Sequence, residues 1–366
     1  MLIDAASRAD TRGVETVCSG RKENGMGLDI AIHHREGSFS NRWIEYCLEH
    51  GIRHRVVSCY ANDIIRQLAS ARALLWHWHH MIKSDVLAAS HIIKVAERMG
   101  LRVFPSTDTC WHFDDKVAQK YLLESVGAPL APAYVFFDAQ VALDWIAGTS
   151  FPKVFKLRRG AGSLNVRLVR TAAEARRLVH RAFGRGFRPV PGYLQDASTK
   201  FRKARLAKDI GGRLRRLPSV LRDISRRNRE LSLERDYAYF QDFIPGNTFD
   251  TRVTVIGNRA IAYTRGVRTN DFRASGSGKN DYDPKRIDPR CITVGFEVTR
   301  KANAQSMAFD FIKTPEGDVR LVEVSYAYVP AFLHNCAGHW DSSLNWHEGH
   351  LWPQDAILLD LLEQVS

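Results

Sequence analysis

The sequence predicts a chain of mixed α/β and α+β class: a small parallel-sheet domain first, then two lobes built around antiparallel strands. Three observations predict it. Short apolar runs alternate with helical patterns over residues 28–112, as in a parallel sheet with crossover helices. Residues 237–326 read as strands joined by tight turns such as Gly257-Asn258 and Pro315-Glu316-Gly317-Asp318. Between the two later lobes, residues 191–236 form a block in which Lys and Arg far outnumber Asp and Glu.

Regular patterning starts after a leader, residues 1–27. Leu28 to His34 is a buried-strand pattern, and the helical spacing of Trp43, Ile44, Cys47 and Leu48 follows, stopped by Gly51. Strands are expected at 55–59, 73–78 and 101–105, and helices at 63–70 and 90–98. The second unit, 113–190, opens with a helix from Asp115 to Ser125 that Gly127 and Pro129 end. Strands at 133–137, 151–157 and 165–169 and helices at 139–147 and from the Thr171 cap to Phe183 complete it. The third unit, 237–326, carries strands at 239–244, 250–256, 260–265 and 319–324, with a helix leading into a strand within 302–312. Residues 327–366 read as an aromatic tail.

With 366 residues, 45% hydrophobic and 25% charged, the chain is long enough for two or three packed subdomains. No apolar run reaches the roughly 20 residues that span a bilayer. The first 25 residues lack the apolar segment of a signal peptide, so the expected location is the cytosol. The six cysteines are scattered without a Cys-x-x-Cys pair, which favours reduced core thiols over a disulfide framework. The net charge of +13 favours acidic partners, whether nucleotide, nucleic acid, anionic lipid or acidic glycan.

Three groups of residues carry chemistry. Lys116 stands at a helix start, and Lys156 ends an apolar strand just before Gly160-Ala161-Gly162-Ser163. Such a turn brings backbone N–H groups close to phosphate oxygens and the lysines add charge, although a plain hairpin turn has the same composition. No Gly-x-x-x-x-Gly-Lys-Ser/Thr run supports a Walker-type loop. Asp310 and Glu323 each stand among apolar residues on neighbouring strands, and Ser325 shares the face of Glu323. Oxygen ligands so placed suit Mg²⁺, the alternative being a solvated strand face. The third group is Arg252, Arg265, Arg268, Asn270 and Arg273, placed where a loop closing over phosphates would need cations.

In this order the three groups make the sequence resemble the ATP-grasp superfamily, in particular the branch of the ribosomal-protein glutamate ligases. The likeness spans residues 111–326, with the upstream α/β domain where that superfamily keeps its preceding domain. It implies ATP and Mg²⁺ as cofactors and a carboxylate–amine ligase that releases ADP. It also implies roles: Lys116 and Lys156 on the α- and β-phosphates, and the Gly160–Ser163 loop over the triphosphate. Gln241, Asp242, Phe243 and Ile244 would frame adenine, with Asp250 near the ribose. Arg252 and Arg273 would hold the γ-phosphate and the acyl phosphate, and Asp310 and Glu323 would bridge metal. The superfamily's last metal ligand is Asn in a Glu-x-Asn pattern; this chain has Ser325 there, which puts the second metal in doubt.

The substrates are less marked. The tail crowds Tyr326, Tyr328, His334, Trp340, Trp346 and Trp352 into a short span, as in a sugar pocket or as in a packed aromatic surface. Cys336, His339, His347 and His350 match no familiar zinc spacing. Trp76 to His80, and His33 to Arg35, follow strands where parallel sheets bind ligands. For residues 198–235 a solvated helical surface comes first. An anionic membrane surface or lipid-linked glycan follows, and nucleic acid comes last for want of a recognised module. The expected function is therefore a Mg·ATP-dependent ligase joining a small-molecule carboxylate and amine, an amino acid and a sugar or polysaccharide precursor among the candidates. An ATP-grasp phosphotransferase acting on a polyol and a non-catalytic nucleotide-binding module are the alternatives.

Overall fold

The computed structural model describes residues 29–160, 165–188, 233–268 and 271–364. The leader, Ala161 to Leu164, the bulk of the basic block (189–232) and Thr269-Asn270 lie outside the described residues.

The first domain is a four-stranded parallel sheet in the order β2-β1-β3-β4: β1 Ile30–His33, β2 His54–Val57, β3 Ala73–Leu75 and β4 Arg102–Phe104. β1 and β3 are buried on both faces, which is why they read as unbroken apolar runs. The crossover helices are α1 Phe39–Glu49, α2 Ile64–Leu68 and α3 Lys83–Arg98. Ser38 caps α1, its hydroxyl accepting from Ser40 N at 3.2 Å. α3 begins seven residues before the helix expected at Ser90. Its first turn lacks a side-chain cap bond, so nothing in the sequence marked the start.

A short helix, α4 Thr107–Cys110, leads to α5 Lys116–Ser125. The Asp115 carboxylate accepts from Val117 N and Ala118 N, both at 3.1 Å, which fixes Lys116 at the first helical position. The small lobe is an antiparallel sheet in the order β5-β8-β6-β7: β5 Ala133–Phe136, β6 Lys153–Lys156, β7 Val166–Val169 and β8 Ala238–Asp242. Helices α6 Ala139–Gly148 and α7 Ala172–Ala182 cover one face, burying Ile146, Val179, Phe155 and Phe240.

The large lobe is a seven-stranded sheet: β9 Phe249–Ile256, β10 Arg259–Gly266, β11 Asn280–Asp281, β12 Ser306–Lys313, β13 Val319–Ser325, β14 Gly338–Trp340 and β15 Trp346–Glu348. The order is β13-β12-β9-β10-β14-β15, with β11 added to β10. Helix α8, Pro289–Lys301, packs on β9, and Gly295 permits the approach: a Cβ there would stand 3.3 Å from both Val253 and Val255 side chains. The sequence reading placed a helix no earlier than 302. It passed over the signal at the true start, an Asp288 cap followed by Pro289.

The C-terminal segment is more than a tail. β14 and β15 extend the large sheet, while α9 Pro330–His334 and α10 Pro353–Glu363 pack into the core of the first domain. Tyr326, Leu333, Ile357 and Leu361 share that core with Trp43 and Trp76. Arg42 of α1 clamps Asp355 of α10 through two bonds of 2.8 Å. The five described cysteines are all buried and free.

Candidate functional site

The two lobes face each other across a cavity to which both contribute lining residues. The small lobe contributes Val154, Lys156, Val166 and the strand end Gln241 to Ile244. Phe249, Asp250, Asp310, Ile312, Val322 and Glu323 come from the large lobe, and Phe272, Arg273, Ala274 and Ser275 from the loop after β10. Apolar walls thus converge on a charged end, the layout of a ligand with a flat ring and an anionic tail.

At the charged end, Lys116 Nζ lies 3.1 Å from Glu323 Oε1 and donates to the Gly160 carbonyl at 3.0 Å. Burial opposes its charge, but Glu323 and Asp114 together hold its pKa above the ordinary lysine value. Lys156 Nζ donates to the Val322 carbonyl at 3.1 Å. The register of β12 and β13 shifts there, Asp310 facing Glu323 and Phe311 facing Leu321, so Val322 is the extra residue of a bulge. Burial lowers Lys156 to about 8, Lys116 adding to the effect while Glu323 and Asp310 oppose it.

Gly160 anchors the phosphate-type turn. Its φ is +118°, and a Cβ would stand 2.2 Å from Asn165 Nδ2, so no other residue fits without rearrangement. Its N–H donates to Asp114 Oδ1 at 2.8 Å. Asp114 was not singled out from the sequence. Burial raises its carboxyl to about 6 even beside Lys116, and its φ of 54° is one that Asp tolerates. Ala161, Gly162 and Ser163 lie outside the described residues.

On the large sheet, one ladder row runs Arg252, Asp310, Glu323 across β9, β12 and β13. Arg252 grips Asp310 through Nε to Oδ1 at 2.7 Å and Nη2 to Oδ2 at 2.9 Å. Arg265 reaches the same Oδ2 at 2.7 Å and holds Asp250 through bonds of 2.8 and 2.6 Å. Burial alone would push the Asp310 carboxyl up; the two guanidinium groups outweigh it and keep it well below the usual carboxylate range. Arg265 was noted in the sequence as one of a cluster. Its pairing with Asp250 follows from their being directly opposed on β9 and β10, which only strand register reveals.

The remaining candidates divide. Gln241 donates to the Ala131 carbonyl at 3.3 Å, and Asp242 takes an ion pair from Lys153 at 2.6 Å. Phe243 meets Phe272 edge to face at 5.7 Å between centroids. Arg273 bonds Asp271, with its Nη2 2.6 Å from Oδ2. Ser325 does not line the cavity: its hydroxyl donates to the Ala327 carbonyl at 2.9 Å and accepts from Ala327 N at 3.1 Å. None of the aromatic residues after Ser325 lines it either; Tyr326 and Tyr328 are core residues of the first domain.

Among the described residues no three His, Cys, Asp or Glu side chains are grouped to hold a metal. The Asp310–Glu323 pair nevertheless suits Mg²⁺, which keeps several waters and takes one or two carboxylates together with phosphate oxygens. Glu323 is the freer of the two, its side chain 32% exposed against 5% for Asp310.

A second cavity is lined by residues that follow β3 and β4, by α3 and by Arg159. His80 lines it and also lies within electrostatic reach of Lys116 and Glu323.

No family model matches the chain, and no curated protein matches it. Solved structures do. The chain is similar to D-cycloserine synthetase DcsG (12% identity, TM-score 0.54, covering 92% of this chain and 100% of that one). It is similar to the ATP-grasp ligase PsnB complexed with minimal precursor (13% identity, TM-score 0.54, 93% and 99%). A biotin carboxylase–βγ-ATP complex from Campylobacter jejuni gives 13% identity and a TM-score of 0.56, over 91% and 70%. The chain has the ATP-grasp fold, with the parallel domain preceding it that the sequence predicted.

Proposed function

We propose that this protein is a Mg·ATP-dependent carboxylate–amine ligase that releases ADP and phosphate. The observation that carries the reading is the charged end of the cavity between the lobes. There Lys156, Glu323 and the arginine-held Asp310 line the wall, and Lys116 pairs with Glu323 beside Gly160. The apolar walls from Val154 to Ile312 would take the adenine, with Gln241 to Ile244 along its edge and Asp250 toward the ribose. Lys116 and Lys156 would meet phosphate oxygens, Arg252 and Arg273 the transferring group, and Glu323 with Asp310 the Mg²⁺. Bound there, the metal would offset charge on the phosphates.

The chain's own residues then orient and shield. A substrate carboxylate oxygen attacks the γ-phosphorus, and ADP leaves with the bond's electron pair. An amine nitrogen, having given up a proton, bonds the carbonyl carbon while the carbon–oxygen bond to phosphate breaks. Guanidinium and ammonium groups stabilise the oxygen charge that develops. The two buried lysines are preorganised for this, since their carbonyl and carboxylate partners hold them in place before any ligand arrives.

The finer parts of the reading have different supports. Among the described residues no helix is long and apolar enough to cross a membrane. The basic stretch 198–235 would add attraction to an anionic surface, which sedimentation with anionic and neutral vesicles tests. Of the aromatic residues that suggested a sugar acceptor, Tyr326 and Tyr328 pack in the first domain, Trp340 and Trp346 lie in the β14–β15 hairpin and Trp352 stacks on His334, so the acceptor is sought elsewhere.

Incubation with Mg·ATP and a panel of acid–amine pairs tests the reading. ADP and phosphate should form together with an amide, and Lys156→Ala should abolish all three. AMP release would overturn it, and phosphate found on the acceptor would make the enzyme a phosphotransferase. Nucleotide binding without turnover across the panel would leave a binding module.

A further inference from the structure

The second cavity departs from the charge of the chain around it. The protein carries +13 overall, yet the residues that line this cavity include three carboxylates, Asp85, Asp114 and Asp115, against one guanidinium, Arg159. Two of the three are committed. Asp115 caps α5 and lies 3.5 Å from Arg158, while Asp114 binds Gly160 N and lies in the field of Lys116.

Asp85 differs. It is 1% exposed, accepts from the Tyr60 hydroxyl and from His79 N at 2.6 Å, and has no ion-pairing cation among the described residues. Its place in the first turn of α3 is favourable for a negative charge, but a helix terminus is a weak counter-ion for a fully buried one. One polar group in the cavity wall is unsatisfied. His80 Nδ1 is buried with no hydrogen-bond partner. Between these groups the wall is apolar or aromatic, from Trp78, Val86, Ile93, Trp111 and Phe113. A buried carboxylate without a cation, a spare ring nitrogen and aromatic faces are what recognise an ammonium group on an apolar body.

We infer that this cavity is the acceptor site and that it takes a primary amine carried on an aromatic or apolar body. Asp85 is the counter-charge to the ammonium, and His80 Nδ1 is the hydrogen-bond acceptor. The inference rests on the ligase reading for its purpose, because the cavity is lined by Arg159 and by Asp114, the residue that binds Gly160 N. The binding itself does not need that reading. Asp85 and His80 are binding residues here, and the bond-forming steps are those already given.

The test is calorimetric titration of the full chain at neutral pH with 2-phenylethylamine, with 2-phenylethanol and phenylacetate as neutral and anionic probes of the same shape. The amine is expected to saturate one site. The alcohol should bind at least about tenfold more weakly, the size of a charge-assisted contact, and phenylacetate not at all. Asp85→Asn should weaken the amine by about tenfold or more while ADP binding stays unchanged. Because Asp85 is buried and that variant can misfold, Ser90→Arg gives a second reading: Ser90 is an exposed residue on the cavity rim. Its added cation should weaken the amine by about threefold or more through charge alone.

No saturable binding of the amine up to about 10 mM, beyond the weakest useful affinity, overturns the inference. So does equal binding of amine and alcohol, or an amine affinity that neither variant changes. Failure of the ligase reading looks different: the amine binds and responds to both variants, but no acid in the panel yields ADP.

Discussion

Asp310 and Glu323 face each other across the β12–β13 ladder, yet one is locked and the other is open. Asp310 is held by Arg252 and Arg265 through three contacts of 2.7 to 2.9 Å, while Glu323 has a single ion pair, to Lys116 at 3.1 Å. Their substitutions should therefore separate. Asp310→Asn leaves two buried guanidinium groups against a neutral amide and should cost about 3–5 kcal/mol of stability. Glu323→Gln should cost about 1 kcal/mol, since its side chain is a third exposed, but should remove the Mg²⁺ dependence of ADP binding. Thermal unfolding and ADP titration with and without Mg²⁺ read the two effects; similar losses of stability would contradict the asymmetry.

On the proposed function, Lys156 should make nucleotide affinity depend on pH. Burial has lowered its amine from 10.5 to about 8. Between those values the unfolded chain keeps the proton that the folded chain has lost, so from this group the ligand-free protein gains stability as pH rises through 8. Phosphate binding runs the other way, because it needs the charged amine. ADP affinity is expected to fall by about tenfold as pH rises beyond 8, and Lys156→Met to flatten that fall. A wild-type profile as flat as that of the variant would remove Lys156 from phosphate binding.

Gly160→Ala should damage the site and spare the fold. The methyl would collide with Asn165 at a φ of +118°, and the turn would lose its bonds to Asp114 and Lys116. The expected outcome is a loss of ADP affinity of about tenfold or more, with a stability change of roughly 1–3 kcal/mol from local strain. Unchanged ADP affinity would show that nucleotide does not touch this turn.

Much of this arrangement was legible because chemistry and pattern coincide in single segments. A carboxylate within Met307-Ala308-Phe309-Asp310-Phe311 stands out as a candidate without knowing its neighbours, and the strand–helix alternation of the first domain needed only apolar spacing. What was not legible depends on pairing. The hold of Arg265 on Asp250 and Asp310 arises from register across three strands. The bulge that offers the Val322 carbonyl to Lys156 leaves no mark in composition. Helix α8 escaped notice because its buried face, Cys291, Ile292, Gly295, Val298 and Thr299, is made of small and β-branched residues that read as strand or loop. The tail misled because aromatic crowding looks alike in a pocket and in a core. Here Tyr326 and Tyr328 fill the core of the first domain.

Tyr326 tests how β13 is tied to that domain. It follows Ser325 directly, is fully buried, and its hydroxyl donates to the Trp78 carbonyl at 2.6 Å, at the end of β3. The Phe113, Trp78 and His77 rings surround it at 4.5, 5.9 and 6.0 Å between centroids. Tyr326→Phe keeps the packing and leaves that carbonyl without its donor, which should cost about 1–3 kcal/mol. Tyr326→Ala removes the ring as well and should cost about 3–5 kcal/mol. Because one side chain joins β13 to β3, wild-type urea unfolding should be a single transition by tryptophan fluorescence and by loss of ADP binding. In Tyr326→Ala the two signals should come apart, ADP binding failing at the lower urea concentration as Glu323 loses its support. Coincident transitions in both proteins would show that the first domain and β13 are held together by other contacts.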